Sequence, residues 1–277
     1  MSEFQLKSFA FTHDRVYNFV ESQWDFISPK LFTCYRVIMA IGMVLWAISD
    51  FASEWLNSYR GYPYFWLLMA TNWAFMAMVI AHIALAFVNI LTNCHDVRSQ
   101  NVVGYKMCWI FYNIACNSVL TTSIIYLFAL VNSEQEIFNT TQSKIKHCLN
   151  ALLILFDLAI CSIPIRLFHF IYPFMLGILY TIMLVIYYYG GGIGPNGKPY
   201  IYEALYWKYP GSAIVAVVCV IIMSILIQLF LFIFVQARIW LYKLIYGDTV
   251  TMHQSKCEED DQIPIMNNDY NSYSTIE

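Results

Sequence analysis

Charged residues are scarce in this sequence of 277 residues. Lys, Arg, Asp and Glu make up 12% of the chain, whereas soluble domains carry roughly 25% of them. Hydrophobic residues supply 60% of the sequence. A chain with so few charges has too little polar surface to face water on all sides, which excludes an ordinary soluble domain. The composition therefore predicts an all-α, polytopic helical membrane protein.

The motifs of several familiar sites are absent as well. The sequence contains no CxxC and no HxxxH pair, so it offers no clustered ligands for a metal. GGGIG at 190–194 lacks the Lys-Ser/Thr of a phosphate loop and is interpreted as a turn. Most of the eight cysteines lie inside apolar stretches, where cysteine is usually a buried hydrophobe, so disulfides are not expected. We expect no metal, no cofactor and no nucleic-acid partner.

Apolar runs divide the chain into three predicted regions. They are a cytoplasmic juxtamembrane segment over 1–30, a six-span transmembrane domain over 31–246 and a disordered acidic cytoplasmic tail over 247–277. The tail holds six acids and no base from residue 257 onward, and its polar composition is typical of disorder. Each span is close to the ~20 residues that a bilayer core requires. The predicted spans are 32–50, 64–90, 106–131, 148–164, 171–189 and 212–236.

Basic residues indicate the orientation of these six spans. With both termini in the cytoplasm, ten Lys and Arg residues fall on the inner side and five on the outer side. This excess predicts cytoplasmic N- and C-termini. The sequon at Asn139 then lies in an outer loop, where it is a candidate glycosylation site. In the tail, Tyr273-Ser274-Thr275-Ile276 has the pattern of a sorting signal built on Tyr273 and Ile276.

Polar residues recur at helical spacing inside three of the spans, which predicts a shared polar interior or hydrogen-bonded helix interfaces. The stripes are Thr71, His82 and Asn89 in the second span, Asn113, Asn117 and Thr121 in the third, and His147, Asn150 and Asp157 in the fourth. A carboxylate such as Asp157 is costly inside a membrane unless it has a partner. Arg36, His82 and Arg166 are candidate partners. His82 and Asn113 are the expected donors, because Arg36 and Arg166 lie nearer the inner face.

Several segments carry a family resemblance. They are YRVIMA (35–40), YFWLLMATNWAF (64–75), HCLNALLILFD (147–157), IPIRLFHFIYP (163–173) and YYYGGG…PYIYEALYWKYPG (187–211). By these segments the sequence resembles the Rolling stone family of multipass proteins. The resemblance implies a plasma-membrane protein related to one linked to myoblast fusion during muscle development. Its partners would be the lipid bilayer and other membrane proteins.

The sequence is similar, more distantly, to the androgen-induced-gene family of multipass lipid hydrolases. That resemblance implies Thr71 as a nucleophile and a His-x-x-His motif whose second histidine is catalytic. Here the motif begins at His147, but its last position is Asn150, which cannot act as a general base. Two hypotheses therefore remain: a structural or interaction protein of cell–cell fusion, and a lipid-ester hydrolase with Thr71 as nucleophile and His147 as base. In the second, Asn150, Asp157 and His82 line the polar interior, which would also suit a lipid ligand.

Overall fold

The computed structural model describes residues 16–57, 62–95, 102–130 and 138–247, and the regular elements within these ranges are helices. The predicted all-α class is confirmed for this part of the chain. The α-helices are α1 (Pro29–Asn57), α2 (Tyr64–Leu67), α3 (Ala70–His95), α4 (Val102–Ile125), α5 (Thr141–Ile160), α6 (Ile171–Tyr189) and α7 (Pro210–Tyr246). A π-helical turn, Tyr126–Leu130, continues α4.

Five of these helices, α1, α3, α4, α6 and α7, are long and apolar enough to cross a membrane. They correspond to the first, second, third, fifth and sixth predicted spans. Of their most apolar stretches, 56% is buried in α3 and in α4, against 11% in α6 and 17% in α7. The apolar side chains on α6 and α7 therefore face outward, as expected for helices that contact lipid. The chain has the helices of a multipass membrane protein.

Helix α5 occupies the place of the predicted fourth span but differs from it in extent and composition. It begins at Thr141 because Thr140 caps the helix, accepting a hydrogen bond from the Ser143 N–H. It ends at Ile160, ahead of Pro164, which disfavours a helical conformation in the residue before it. The longer N-terminal part brings two lysines into the helix, and α5 is not among the five helices that qualify as spans by composition.

The predicted second span is interrupted between α2 and α3. Two tyrosines from later in the chain bind the backbone at the break. Tyr180 Oη donates to the Leu68 carbonyl at 2.7 Å, and the Tyr202 hydroxyl accepts from the Ala70 N–H at 3.1 Å. The interruption places Thr71 in the first turn of α3.

The core lies around α3 and α4. Helix α3 packs against α1 and α4, and α4 also contacts α5 and α6. Large, fully buried side chains on these two helices fill the space between them: Phe75, Met78 and Leu85 on α3, and Trp109 and Tyr112 on α4. These contacts belong to a compact unit that extends to Arg238.

The second compact unit comprises Ile239–Glu277 and is described as far as Gly247. It contains the last turns of α7, where the rings of Tyr242 and Tyr246 are 4.8 Å apart. Gly247 has a φ of +75° and donates its N–H to the Lys243 carbonyl. This is a common way for a helix to end, and glycine adopts that backbone conformation without strain.

Residues 18–24 form a segment that we call the N-terminal strap, which lies against the end of α5. The Gln23 N–H donates to the Ile160 carbonyl at 2.9 Å. On α3, the Asn93 amide donates to the Val20 carbonyl at 3.0 Å. The strap thus satisfies backbone groups that the end of α5 leaves without intrahelical partners.

Candidate functional site

Thr71 and His147 lie side by side where the start of α3 meets α5. Thr71 Oγ1 is 3.4 Å from His147 Nε2. The His147 ring stacks on the Tyr126 ring, with the centroids 3.9 Å apart and the planes at 5°. The Ser123 hydroxyl donates to the His147 carbonyl at 2.9 Å. The fold therefore brings together the two residues that the distant family resemblance singles out.

This contact has some, but not all, of the features of a nucleophile–base pair. At 3.4 Å it is longer than a strong hydrogen bond, although catalytic hydrogen bonds are often long before a substrate binds. His147 Nδ1 has no protein partner within the described ranges. Stacking on Tyr126 therefore orients the ring, where a triad would use a third polar group. Asn150 is buried one turn further along α5, and its Oδ1 likewise lacks a protein partner there.

Next to this pair lies a second group of polar side chains that contact one another. We call it the lysine cluster, and it comprises Asp50, Glu54, Asn72 and Lys146. Lys146 precedes His147, and its side chain is only 3% exposed. Its Nζ donates to Asp50 Oδ2 and Asn72 Oδ1, both at 2.5 Å, and to Glu54 Oε1 at 3.1 Å. An ammonium has three N–H groups, so all of them are used. The cluster joins α1, α3 and α5 at the level of Thr71.

The lysine cluster is not predicted from the sequence, because a fourth span that starts at 148 places Lys146 in an outer loop. That assignment is wrong, since Lys146 lies inside α5 and is buried. Two signals point to it in retrospect. Thr140 is a favourable N-cap seven residues before His147. Asp50 and Glu54 are four residues apart, which places both carboxylates on one face of α1.

Near the other end of α5, Asp157 is fully buried in the arginine cluster, which comprises Tyr35, Arg36 and Asp157. Arg36 Nη1 donates to Asp157 Oδ1 at 2.6 Å, and Tyr35 Oη donates to the same oxygen at 2.7 Å. The Arg36 guanidinium also lies over the Phe32 ring, 4.8 Å from its centroid. Both charged side chains are 0% exposed. The prediction that Asp157 has a buried partner is confirmed.

Of the candidate partners of Asp157, Arg36 is confirmed, but the preferred donors, His82 and Asn113, are wrong. His82 Nδ1 is 2.9 Å from the Met78 carbonyl, and neither His82 nor Asn113 donates to the carboxylate. The reason is that α5 both begins and ends earlier than predicted. Because the helix runs from Thr141 to Ile160, and not from 148 to 164, Asp157 lies in its last turn, at the level of Arg36 near the start of α1.

The predicted polar interior consists of separate hydrogen-bonded layers. Ten residues of α5, about 15 Å of helix rise, separate His147 from Asp157. A further layer joins α4 to α7, where the Asn117 amide donates to Gln228 Oε1 at 2.9 Å and accepts from the Ser224 hydroxyl at 2.7 Å. Asn117, Asp157 and the Thr71–His147 pair bond across neighbouring helices. His82 instead bonds to a carbonyl of its own helix, and both polar atoms of the Asn113 side chain lack a partner among the described residues.

The loop between α6 and α7 reaches the Thr71 end of the bundle through Tyr202. Its ring stacks on Phe138, with the centroids 5.5 Å apart. Burial raises the pKa of Tyr202 to about 12, so the hydroxyl that accepts from the Ala70 N–H is protonated at neutral pH. The GGGIG segment in this loop turns at Gly191, whose φ is +80°, in agreement with the predicted turn.

The remaining candidate residues lie elsewhere. Asn139 is exposed, two residues before α5. Tyr273 and Ile276 lie outside the described residues, as do 1–15 and 248–277. Within the part of the chain that the structure describes, no three His, Cys, Asp or Glu side chains come together as a metal site requires.

Comparison with known proteins gives one consistent relationship. A family model described as "Protein rolling stone" matches residues 1–247. Protein rolling stone from Drosophila melanogaster is 26% identical over 245 residues, which cover 83% of this chain and 86% of the fly protein. No solved structure matches. The matched region includes both charged clusters and the contact between Thr71 and His147.

Proposed function

The chain belongs to the Rolling stone family, and on that premise we propose that it is a multipass plasma-membrane protein that acts in cell–cell fusion, such as myoblast fusion during muscle development. The observation that carries this proposal is the family match, which extends over residues 1–247. The five long apolar helices fit a protein that works within the lipid bilayer.

Depletion of the protein from cultured myoblasts tests the proposal. The fraction of nuclei in multinucleate cells should fall, and re-expression of the wild-type chain should restore it. A fusion index that does not change after verified depletion would contradict the proposed role.

The proposed topology has six spans with both termini in the cytoplasm. Helix α5 is the fourth of these spans and is added to the five helices that qualify by composition. Its 20 residues give about 30 Å of helix, the thickness of a hydrocarbon core. Its buried charges are paired within the protein, so they need not face lipid. Arg36, Lys146 and Arg238 are buried and should not be counted as loop charges. Without them the count of Lys and Arg changes from ten inner and five outer residues to eight inner and four outer residues, which still favours cytoplasmic termini.

A second candidate function is hydrolysis of a lipid ester within the membrane, and the 3.4 Å contact between Thr71 Oγ1 and His147 Nε2 favours it. In this reaction Thr71 Oγ attacks the acyl carbonyl while His147 Nε2 takes the hydroxyl proton. The ester C–O bond then breaks, and the alcohol leaves with that proton. Water next attacks the acyl-threonine and His147 takes its proton. The bond between the acyl carbon and Thr71 Oγ then breaks, His147 returns the proton to Oγ, and a carboxylic acid is released.

Thr71 also has a favourable place in its helix for this chemistry. The backbone N–H groups at the start of a helix have no intrahelical partners, and they favour negative charge. Thr71 lies in the first turn of α3. The Ala70 N–H of that turn already donates to Tyr202, and the Asn72 and Trp73 N–H groups donate to the Met69 carbonyl. What the turn offers to the oxyanion of a tetrahedral intermediate is therefore the positive end of the helix dipole.

Labelling of the purified protein with a lipid-ester probe that acylates active hydroxyls tests this second function. The wild-type protein should be labelled, Thr71→Ala should not, and His147→Gln should be labelled at least a hundredfold more slowly, because a general base typically contributes a factor of about 10²–10⁴. Thr122→Ala is the control, since this threonine donates to backbone carbonyls of α4. Equal labelling of wild type and Thr71→Ala would rule out the proposed nucleophile.

A further inference from the structure

The Thr71–His147 contact lies beside a group of charges that do not cancel. The lysine cluster is adjacent in sequence to both residues, because Asn72 follows Thr71 and Lys146 precedes His147. Two carboxylates, on Asp50 and Glu54, face one ammonium. The formal charge of the cluster is therefore −1.

The ammonium of this cluster is not available to a bound molecule. Its three N–H groups already bind Asp50, Asn72 and Glu54. Glu54 is the most exposed charged member, with 14% of its side chain accessible, against 3% for Lys146 and 0% for Asp50. Glu54 Oε2 also accepts from the Asn72 amide at 3.3 Å, so the most accessible charge of the cluster is a carboxylate that lies beside the residue that follows Thr71. The start of α3 adds about half a positive charge, which leaves the sum negative.

We infer that the Thr71–His147 site takes uncharged lipid esters and disfavours lipids that carry a fixed negative charge. The inference rests on the proposed lipid-ester site and names its substrate class. One net negative charge about 10 Å away, at the effective dielectric of a partly buried site, lowers the occupancy of an anion roughly tenfold. The same charge does not lower the occupancy of an uncharged ester.

Photo-crosslinking measures this preference without requiring catalysis. One probe is a monoacylglycerol with a diazirine in its acyl chain, and the other is an alkyl sulfonate of the same chain length with the same diazirine. Each is added to the purified full-length chain in neutral detergent, and crosslinks are mapped to the segments that hold Thr71 and His147. The neutral probe should label these segments roughly tenfold more than the sulfonate does.

Two matched substitutions identify the source of the preference. Glu54→Gln removes one negative charge from the lysine cluster with little change in shape, and it should bring the two labelling yields within about threefold of each other. Glu203→Gln makes the same chemical change at an exposed position next to Tyr202, at the same end of the bundle, and it should leave the ratio unchanged. A ratio near one in the wild type, or a ratio that Glu54→Gln does not alter, would overturn the inference.

The crosslinking result and the hydrolysis result are distinguishable. If the neutral probe is preferred but Thr71 is never acylated, the site binds neutral lipids, and the hydrolase function is wrong. If Thr71 is acylated but the sulfonate labels as well as the monoacylglycerol, the hydrolase function stands and the substrate class is wrong.

Discussion

The ion pair between Arg36 and Asp157 lies wholly inside the protein, so each residue depends on the other. Asp157→Leu leaves the Arg36 guanidinium buried without its counter-ion and should destabilise the protein by about 3–5 kcal/mol. Asp157→Asn retains a hydrogen-bond acceptor and should be milder. Arg36→Met combined with Asp157→Leu removes both charges and should recover much of the loss. Thermal unfolding in detergent measures all three, and a double variant less stable than Asp157→Leu would contradict the account.

Lys146 allows a comparison with a second lysine on the same helix. Lys146→Met leaves the buried Asp50 carboxylate without its ammonium and should cost about 3–5 kcal/mol. Lys144→Met changes an exposed residue and should stay within about 0.5 kcal/mol. Chemical unfolding of the two variants in the same detergent gives the difference. Similar stabilities would mean that the lysine cluster contributes little.

At this scale the sequence identified some of the important residues and not others. Asp157 stands out because it is an acid within an apolar run, and its need for a partner follows from the cost of burying a charge. The identity of the donor depends on how far α5 is shifted along α1, which is set by the Thr140 cap and by the contacts of Lys146. A one-dimensional pattern does not contain that relative shift.

At the scale of the helix, features that have a local cause are predictable from the sequence, and features that depend on tertiary contacts are not. The five long apolar helices were predictable because each carries its own hydropathy signal. The break between α2 and α3 was not, because no Pro or Gly lies within LLMATNW (67–73). Tyr180 and Tyr202 bind the backbone at that break from more than a hundred residues away in the sequence.

The N-terminal strap gives a prediction about local opening. Asn93→Leu removes the amide that donates to the Val20 carbonyl and to the Thr33 hydroxyl, at 3.0 Å each. The strap should then detach more often, and chymotrypsin should cleave after Phe19, which is only 2% exposed in the intact fold, several times faster than in the wild type. Asn57→Leu, at the exposed end of α1, is the control. Equal cleavage rates would show that Asn93 does not hold the strap.

For the whole molecule, the proposed topology makes a direct prediction. Epitope tags at the N- and C-termini should bind antibody only after the cells are permeabilised, because both ends are expected in the cytoplasm. Staining of either tag on intact cells would contradict the prediction of six spans with cytoplasmic ends. A tag inserted after Asn196, in the loop between α6 and α7, should be stained on intact cells and serves as the control.

The tail provides a prediction about surface abundance. If Tyr273 and Ile276 form a sorting signal, Tyr273→Ala should raise the fraction of the protein at the cell surface, measured by surface biotinylation. Tyr270→Ala changes a nearby tyrosine outside the motif and should have no effect. An unchanged surface fraction in Tyr273→Ala would remove the sorting proposal without affecting the fold.

The two charged clusters join residues that the ribosome makes at different times. Asp157 follows Arg36 by 121 residues, and Lys146 follows Asp50 by 96. At about 5–20 residues per second, α1 therefore waits roughly 5–25 s for its partners. During that interval Arg36, Asp50 and Glu54 lack their partners on α5, so we expect α1 to stay beside the insertion machinery until α5 is made. We expect nascent chains that stop before Thr141 to lack these counter-charges and therefore to be recognised by membrane quality control.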